Sequence, residues 1–156
     1  MKLELSTRIV NANVDWVFAQ FNERLFRQLS PPFPPSKVAR FDGCRSGDQV
    51  EVILFPGLFN IRWVSEICEE VHIAGVRHAF TDIGLQLPPF LKSWKHVHEL
   101  VADGKDVIIH DRIQYEVRGM YPKFIIRNIM HRVFAYRQPI YQRALKLSNN
   151  ILNESL

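Results

Sequence analysis

The sequence predicts an α+β domain: a strongly curved antiparallel sheet of seven strands wrapped on a long C-terminal helix, with two short helices after the first strand. Three observations predict it. From Ser36 onward apolar residues recur with period two for about eighty residues, in six segments separated by turn signals. The period then changes, and Ile126, Ile129, Met130, Val133, Ile140, Ala144 and Leu147 trace one helical stripe between Pro122 and Asn150. A lone alternating segment and two short helical patterns precede both.

In order, Leu3 to Val10 alternates Leu3, Leu5, Thr7 and Ile9 against Glu4, Ser6 and Arg8, a half-buried strand. Asn13 is a good helix cap, with Asp15 in the first turn, and Val14, Val17, Phe18 and Phe21 share one helical face. A second short helix, Glu23 to Leu29, must stop at Ser30, because Pro31 disfavours helical geometry in the residue before it. Pro31 to Pro35 reads as a stiff, extended connector. Lys37 to Asp42 and Gln49 to Phe55 are strands around Arg45-Ser46-Gly47. Phe55-Pro56-Gly57-Leu58 fits a type II turn, which pairs Leu54 with Phe59, Val52 with Ile61 and Val50 with Trp63. Ala74-Gly75 turns the chain into Val76 to Gly84, with His78, Phe80 and Asp82 on one parity, and Leu85 to Phe90 is a loop. Pro122 suits the first turn of the closing helix, and Pro139 is expected to kink it.

The totals bound the function. A chain of 156 residues with 47% hydrophobic content suits one domain, taken as 1–156, with room for a sizeable core. No apolar run is long enough to span a bilayer, and Met1-Lys2 leads directly into a strand-like segment, so a cytoplasmic protein without a membrane anchor is expected. Cys44 and Cys68 lack metal-type spacing and read as unpaired thiols. The net charge of +4 is uneven: Lys123, Arg127, Arg132, Arg137, Arg143 and Lys146 fall in a stretch without Asp or Glu. Without interleaved exposed aromatics this is read as a solvated flank, not a nucleic-acid site. Homo-oligomerisation is left open.

The functional signal lies in Lys92 to Val117. Trp94, His96 and His98 share one strand face, as do Ile109, Asp111, Ile113 and Tyr115 on the next. If Asp103-Gly104 is a two-residue turn, Ala102 pairs with Lys105, which sets His98 opposite Ile109, His96 opposite Asp111 and Trp94 opposite Ile113. A histidine and a carboxylate then face each other on an apolar surface.

Phe80-x-Asp82, Pro89-Phe90 leading to Trp94-x-His96-x-His98, Asp111-x-x-x-Tyr115, and Phe134-Ala135-Tyr136-Arg137 resemble the cyclase/dehydrase-like, ligand-binding bacterial branch of the START, polyketide-cyclase and birch-pollen-allergen (SRPBCC) superfamily. The resemblance covers nearly the whole chain. It implies the helix-grip fold and, in function, a binder of lipids, sterols, hormones or polyketides, only some such proteins being enzymes.

A curved sheet gripping a helix leaves a cavity, and inward side chains become its walls. Trp63, Phe80, Trp94, Ile109, Ile113, Tyr115 and Met130 are the expected apolar lining, with Asp82, His96, His98 and Asp111 as its polar groups. The expected partner is therefore a small hydrophobic molecule with one polar group, of lipid, polyketide or aromatic type. The His96–Asp111 pair also reads as a structural contact that fixes the sheet's register. Two other classes stay open. His96 as general base, oriented by Asp111, suits cyclisation or dehydration of a carbonyl substrate. His96-x-His98 with Asp82 or Asp111 carries metal-ligand chemistry, although no cofactor is expected, since both histidines have a carboxylate and a tyrosine available as partners.

Overall fold

A computed structural model describes residues 1–146, in the order β1 (Lys2–Ile9), α1 (Val14–Ala19), α2 (Glu23–Gln28), β2 (Ser36–Phe41), β3 (Gln49–Leu54), β4 (Ile61–Ile73), β5 (Arg77–Gln86), β6 (Leu91–Asp103), β7 (Asp106–Val117) and α3 (Lys123–Ala144). One seven-stranded antiparallel sheet has the order β1-β7-β6-β5-β4-β3-β2. Strands β2 to β7 form a meander, and β1 closes it by pairing along β7 from Lys2↔Gln114 to Ile9↔Val107. Register shifts at Val38/Arg40, Val64/Ser65, Ile67/Glu69 and Leu91/Ser93 bend and twist the sheet, as bulges do.

Asn13 caps α1 as the sequence indicates, and Asn22 caps α2. Asn13 Oδ1 accepts from the backbone N–H of Asp15 and Trp16, and Asn22 Oδ1 accepts from that of Leu25. Pro122 caps α3, the expected tail of that helix from Leu147 to Asn150 lies outside the described residues, and Ala144 is exposed. Helix α3 buries Ile126, Met130, Phe134 and Ile140. Its first half joins Leu91, Trp94, Ile113 and Tyr115 in one apolar cluster. Ile140 joins a second cluster with α1, α2 and the distal ends of β6 and β7, including Val17, Leu29, Leu100 and Val107.

Two hairpin registers differ from the expected ones, each by two residues. In β6/β7 the turn is Gly104-Lys105 and the closing pair is Asp103↔Asp106. Only Gly104 has positive φ, +63°, the sign pattern of a type II′ turn and not of the I′ turn that Asp-Gly favours. Facing aspartates repel. Arg8 offsets this by pairing with both, at 2.7 Å to Asp103 and 2.9 Å to Asp106, while Asp106 also accepts from the Asn11 N–H. In β3/β4 the pairs are Leu54↔Ile61, Val52↔Trp63 and Val50↔Ser65, leaving Leu58 and Phe59 exposed in a longer loop. Gly57 has φ +154°, far from the roughly +80° that a type II turn needs. A slide of two leaves every side chain on its expected face. Three further boundaries move: β5 continues to Gln86, residues 32–34 bend instead of extending, and the Phe33–Pro34 peptide is cis.

Candidate functional site

Strands β5, β6 and β7 lie side by side, and each contributes alternate residues to the face beneath α3. Cross-strand pairing sets Asp82 opposite His96, Phe80 opposite His98, and His98 opposite Asp111. His96 is opposite Ile113, not Asp111 as the shorter turn would place it. Even so, its ring reaches Asp111 on the diagonal, and Nε2 donates to Oδ1 at 2.9 Å. Asp111 Oδ1 also lies 3.1 Å from His98 Nδ1, though without hydrogen-bond alignment, so that nitrogen has no hydrogen-bond partner among the described residues. On the other side Asp82 Oδ2 stands 3.3 Å from His96 Nδ1 and 3.7 Å from His98 Nε2. The Trp94 indole N–H donates to Asp82 Oδ1 at 2.7 Å. Two imidazoles thus lie between two carboxylates, and all four residues are buried.

Aromatic rings fix the imidazole planes. Phe80 stacks on His98 at 4.4 Å between centroids, and Phe134 meets His96 edge-on at 5.0 Å. Burial alone would favour neutral groups throughout, but the charges oppose it. At His96 burial is outweighed by the hydrogen bond to Asp111 and the closeness of Asp82, so the imidazolium is favoured. At His98 burial and the neighbouring His96 charge prevail and push the ring down to about 4. Asp82 and Asp111, despite burial, are held below the usual carboxylate range by the histidines.

This cluster forms one wall of a cavity of about 150 Å³ between the sheet and α3. Of the residues expected in the wall, Trp63, Phe80, Asp82, Trp94, His96, His98 and Met130 line that space. Ile109 and Ile113 are packed in the apolar clusters instead, and Asp111 and Tyr115 do not line it either. Asp111 acts on the cavity only through the two histidines, and Tyr115 is packed against Trp94 with its hydroxyl unpartnered among the described residues.

Three groups of lining residues escaped sequence reasoning. Phe26 and Leu29 come from α2 and its C-cap, and Phe21, Pro31, Pro34 and Cys44 from the connectors. No periodicity points connector residues at a cavity. The third is Arg137, counted above with the solvated basic residues. Lys123, Arg127, Arg132, Arg143 and Lys146 are indeed exposed, but Arg137 is half-buried and lines the cavity. Its guanidinium carbon sits 4.3 Å from the Phe134 ring centroid, and its Nε is buried without a hydrogen-bond partner among the described residues. The signal was available, since Arg137 lies seven residues after Met130 and four after Val133, on the apolar stripe.

No helix among the described residues is long and apolar enough to cross a membrane. No family model matches the chain, and no curated protein matches it. Solved structures do. A START superfamily protein from Mycobacterium smegmatis is 8% identical, with a TM-score of 0.66 over 92% of this chain and 96% of that one. The Zhui aromatase/cyclase from Streptomyces sp. R1128 is 13% identical, with a TM-score of 0.62 over 93% and 90%. Ara h 8.0201 is 11% identical, with a TM-score of 0.56 over 90% and 97%. At these identities the likeness is one of fold alone, and that fold is the helix grip: a curved antiparallel sheet packed on a C-terminal helix.

Proposed function

We propose that the chain binds a small hydrophobic molecule of lipid, polyketide or aromatic type, carrying one polar group, in the space between the sheet and α3. The observation that carries this reading is the cavity's composition. Aromatic and aliphatic side chains supply most of its wall, while Asp82, His96, His98 and Arg137, with Asn22, Ser30, Ser36 and Ser65, supply its polar groups. A free volume of about 150 Å³ exceeds what one or two waters need and matches apolar cavities that accept a single aromatic ring. Native mass spectrometry of protein purified from its own host tests the reading directly. A bound organic molecule, released on denaturation and lost on Met130→Trp, is the expected result. A bare chain that also fails to bind neutral naphthalene probes would overturn it.

A second reading, catalysis of cyclisation or dehydration, is favoured by one observation. His96 has its Nε2 tied to Asp111 while Nδ1 is directed to the cavity side, toward Asp82. Because both carboxylates favour its imidazolium, His96 would deliver a proton before it accepted one. Turnover of a hydroxylated carbonyl substrate, lost in His96→Gln while binding persists, is the result that would establish it.

A further inference from the structure

We propose that Asp82, His96 and His98 form a binding site for a divalent first-row transition cation, zinc or iron(II), in the wall of the cavity. One ligand atom from each residue can be chosen so that all three fall within 4.8 Å of one another. The relevant edges are already short, 3.3 Å from Asp82 Oδ2 to His96 Nδ1 and 3.7 Å to His98 Nε2. A cation with bonds of about 2.0–2.2 Å spaces its ligands about 3.0–3.5 Å apart, so small side-chain rotations close the site. Neither edge is a hydrogen bond by alignment, and all three residues border the cavity, so these atoms converge on a common point without consuming one another.

The surroundings are those that hold metal ligands in place. Imidazoles that bind a metal through one nitrogen are oriented by an acceptor at the other. Here Asp111 Oδ1 accepts from His96 Nε2 at 2.9 Å and stands 3.1 Å from His98 Nδ1 without hydrogen-bond alignment, so a small rotation of the His98 ring completes the second contact. The carboxylate ligand is oriented as well, by the Trp94 indole N–H. A divalent cation also balances the charge of the buried set. Two carboxylates and two neutral imidazoles sum to minus two, and the cation brings the sum to zero. Two nitrogens and one oxygen select zinc or iron over magnesium or calcium. With three protein ligands on one wall, the remaining coordination positions open onto the cavity, the arrangement of reactive rather than structural sites. The inference does not depend on whether a hydrophobic molecule binds.

The test uses untagged full-length protein stripped with chelator and titrated with Zn²⁺ alone by calorimetry, and with Co²⁺ by visible absorption. One ion per chain is expected, with ring ¹H–¹⁵N signals of His96 and His98 moving on Zn²⁺ addition. Asp82→Asn, which keeps the side-chain shape, and His98→Gln should each weaken binding about 100-fold or abolish it. Asp111→Asn should weaken it about 10- to 100-fold, the range for partners that orient ligands. A second histidine cluster, outside the cavity, supplies the control. His72 and His78 approach at 3.0 Å beside Glu70 and Asp15, and His78→Ala should leave the affinity unchanged. The proposal is overturned if the stripped protein binds no ion, if binding survives Asp82→Asn, or if it is lost in His78→Ala. Should both site variants fail to fold, the histidine signals of the wild-type protein decide: no movement of His96 and His98 overturns it.

Discussion

His96 Nε2 is 2.9 Å from Asp111 Oδ1, although the residue opposite His96 on the neighbouring strand is Ile113. The bond is therefore diagonal, and the directly opposed His98 has the same oxygen at 3.1 Å without alignment. One carboxylate oxygen thus fixes the His96 ring and abuts the His98 ring. In chelator-stripped protein, Asp111→Ala leaves both imidazoles buried without that acceptor, and breaking such a set costs about 3–5 kcal/mol. Asp111→Asn keeps an acceptor and should cost less, about 1–3 kcal/mol. Urea unfolding midpoints at neutral pH measure both. Equal midpoints for wild type and Asp111→Ala would show that the contact contributes nothing.

Among the described residues Arg137 is the one strongly basic side chain lining the cavity, and its Nε has no hydrogen-bond partner there. A guanidinium so placed favours a molecule whose polar group is anionic. Two probes of similar size separate charge from shape: anilinonaphthalene sulfonate, which is anionic, and neutral phenylnaphthylamine. Arg137→Met should weaken the first about tenfold or more, the range of one charge-assisted hydrogen bond, and leave the second nearly unchanged. Parallel losses for both probes would mean that Arg137 contributes only its packing on Phe134.

Asp15 ties α1 to the β4/β5 turn: its carboxylate accepts from the Gly75 N–H at 3.0 Å and lies 2.6 Å from His78 Nε2. The Gly75 hydrogen bond, with that of His78, holds the carboxyl below its ordinary value of 3.8. The sign follows. The folded state binds this proton less readily than the unfolded chain, so the contact stabilises fully above pH 3.8 and fades as pH falls toward the lower folded value. Asp15→Asn should remove that part of the acid dependence and leave a flatter acid limb. Thermal unfolding from pH 6 downward, with wild type and variant compared at each pH, checks it; superimposable limbs would refute it.

The fold was legible because binary patterning survives errors of register. Val50, Val52, Leu54 and Trp63 line one face under both the expected and the observed pairing, since the slide was two residues. Turn chemistry was less legible. Asp103-Gly104 carries the preferred signal for a type I′ turn, yet Arg8, almost a hundred residues earlier, pairs with Asp103 and Asp106 and suits a closing pair one step further on. No local rule contains that contact. The Asp82, His96, His98 and Asp111 cluster was readable because each residue keeps its strand parity. The cavity's far wall was not, because Phe26, Pro34 and Cys44 come from short helices and connectors without a period. Arg137 was misread through its charge, which outweighed its position on the apolar stripe.

Cys44 offers a probe of the cavity itself. Its thiol lines the space and donates to the Phe21 carbonyl at 3.4 Å. Burial, reinforced by the charges of Asp48 and Asp82, pushes it up to about 12. A thiolate is the reactive form, so at neutral pH Cys44 should be nearly inert toward iodoacetamide. In native protein its alkylation rate should keep rising with pH beyond 9, where an exposed thiol reaches its plateau. A molecule bound in the cavity covers the sulfur and should slow the reaction further, whereas one bound elsewhere should not. Peptide mapping after timed alkylation separates Cys44 from Cys68, whose thiol is also raised by burial. With neutral phenylnaphthylamine present, protection confined to Cys44 is the expected pattern. Fast modification of Cys44 at pH 7, or equal protection of both cysteines, would place the probe outside this cavity and remove the thiol from its wall.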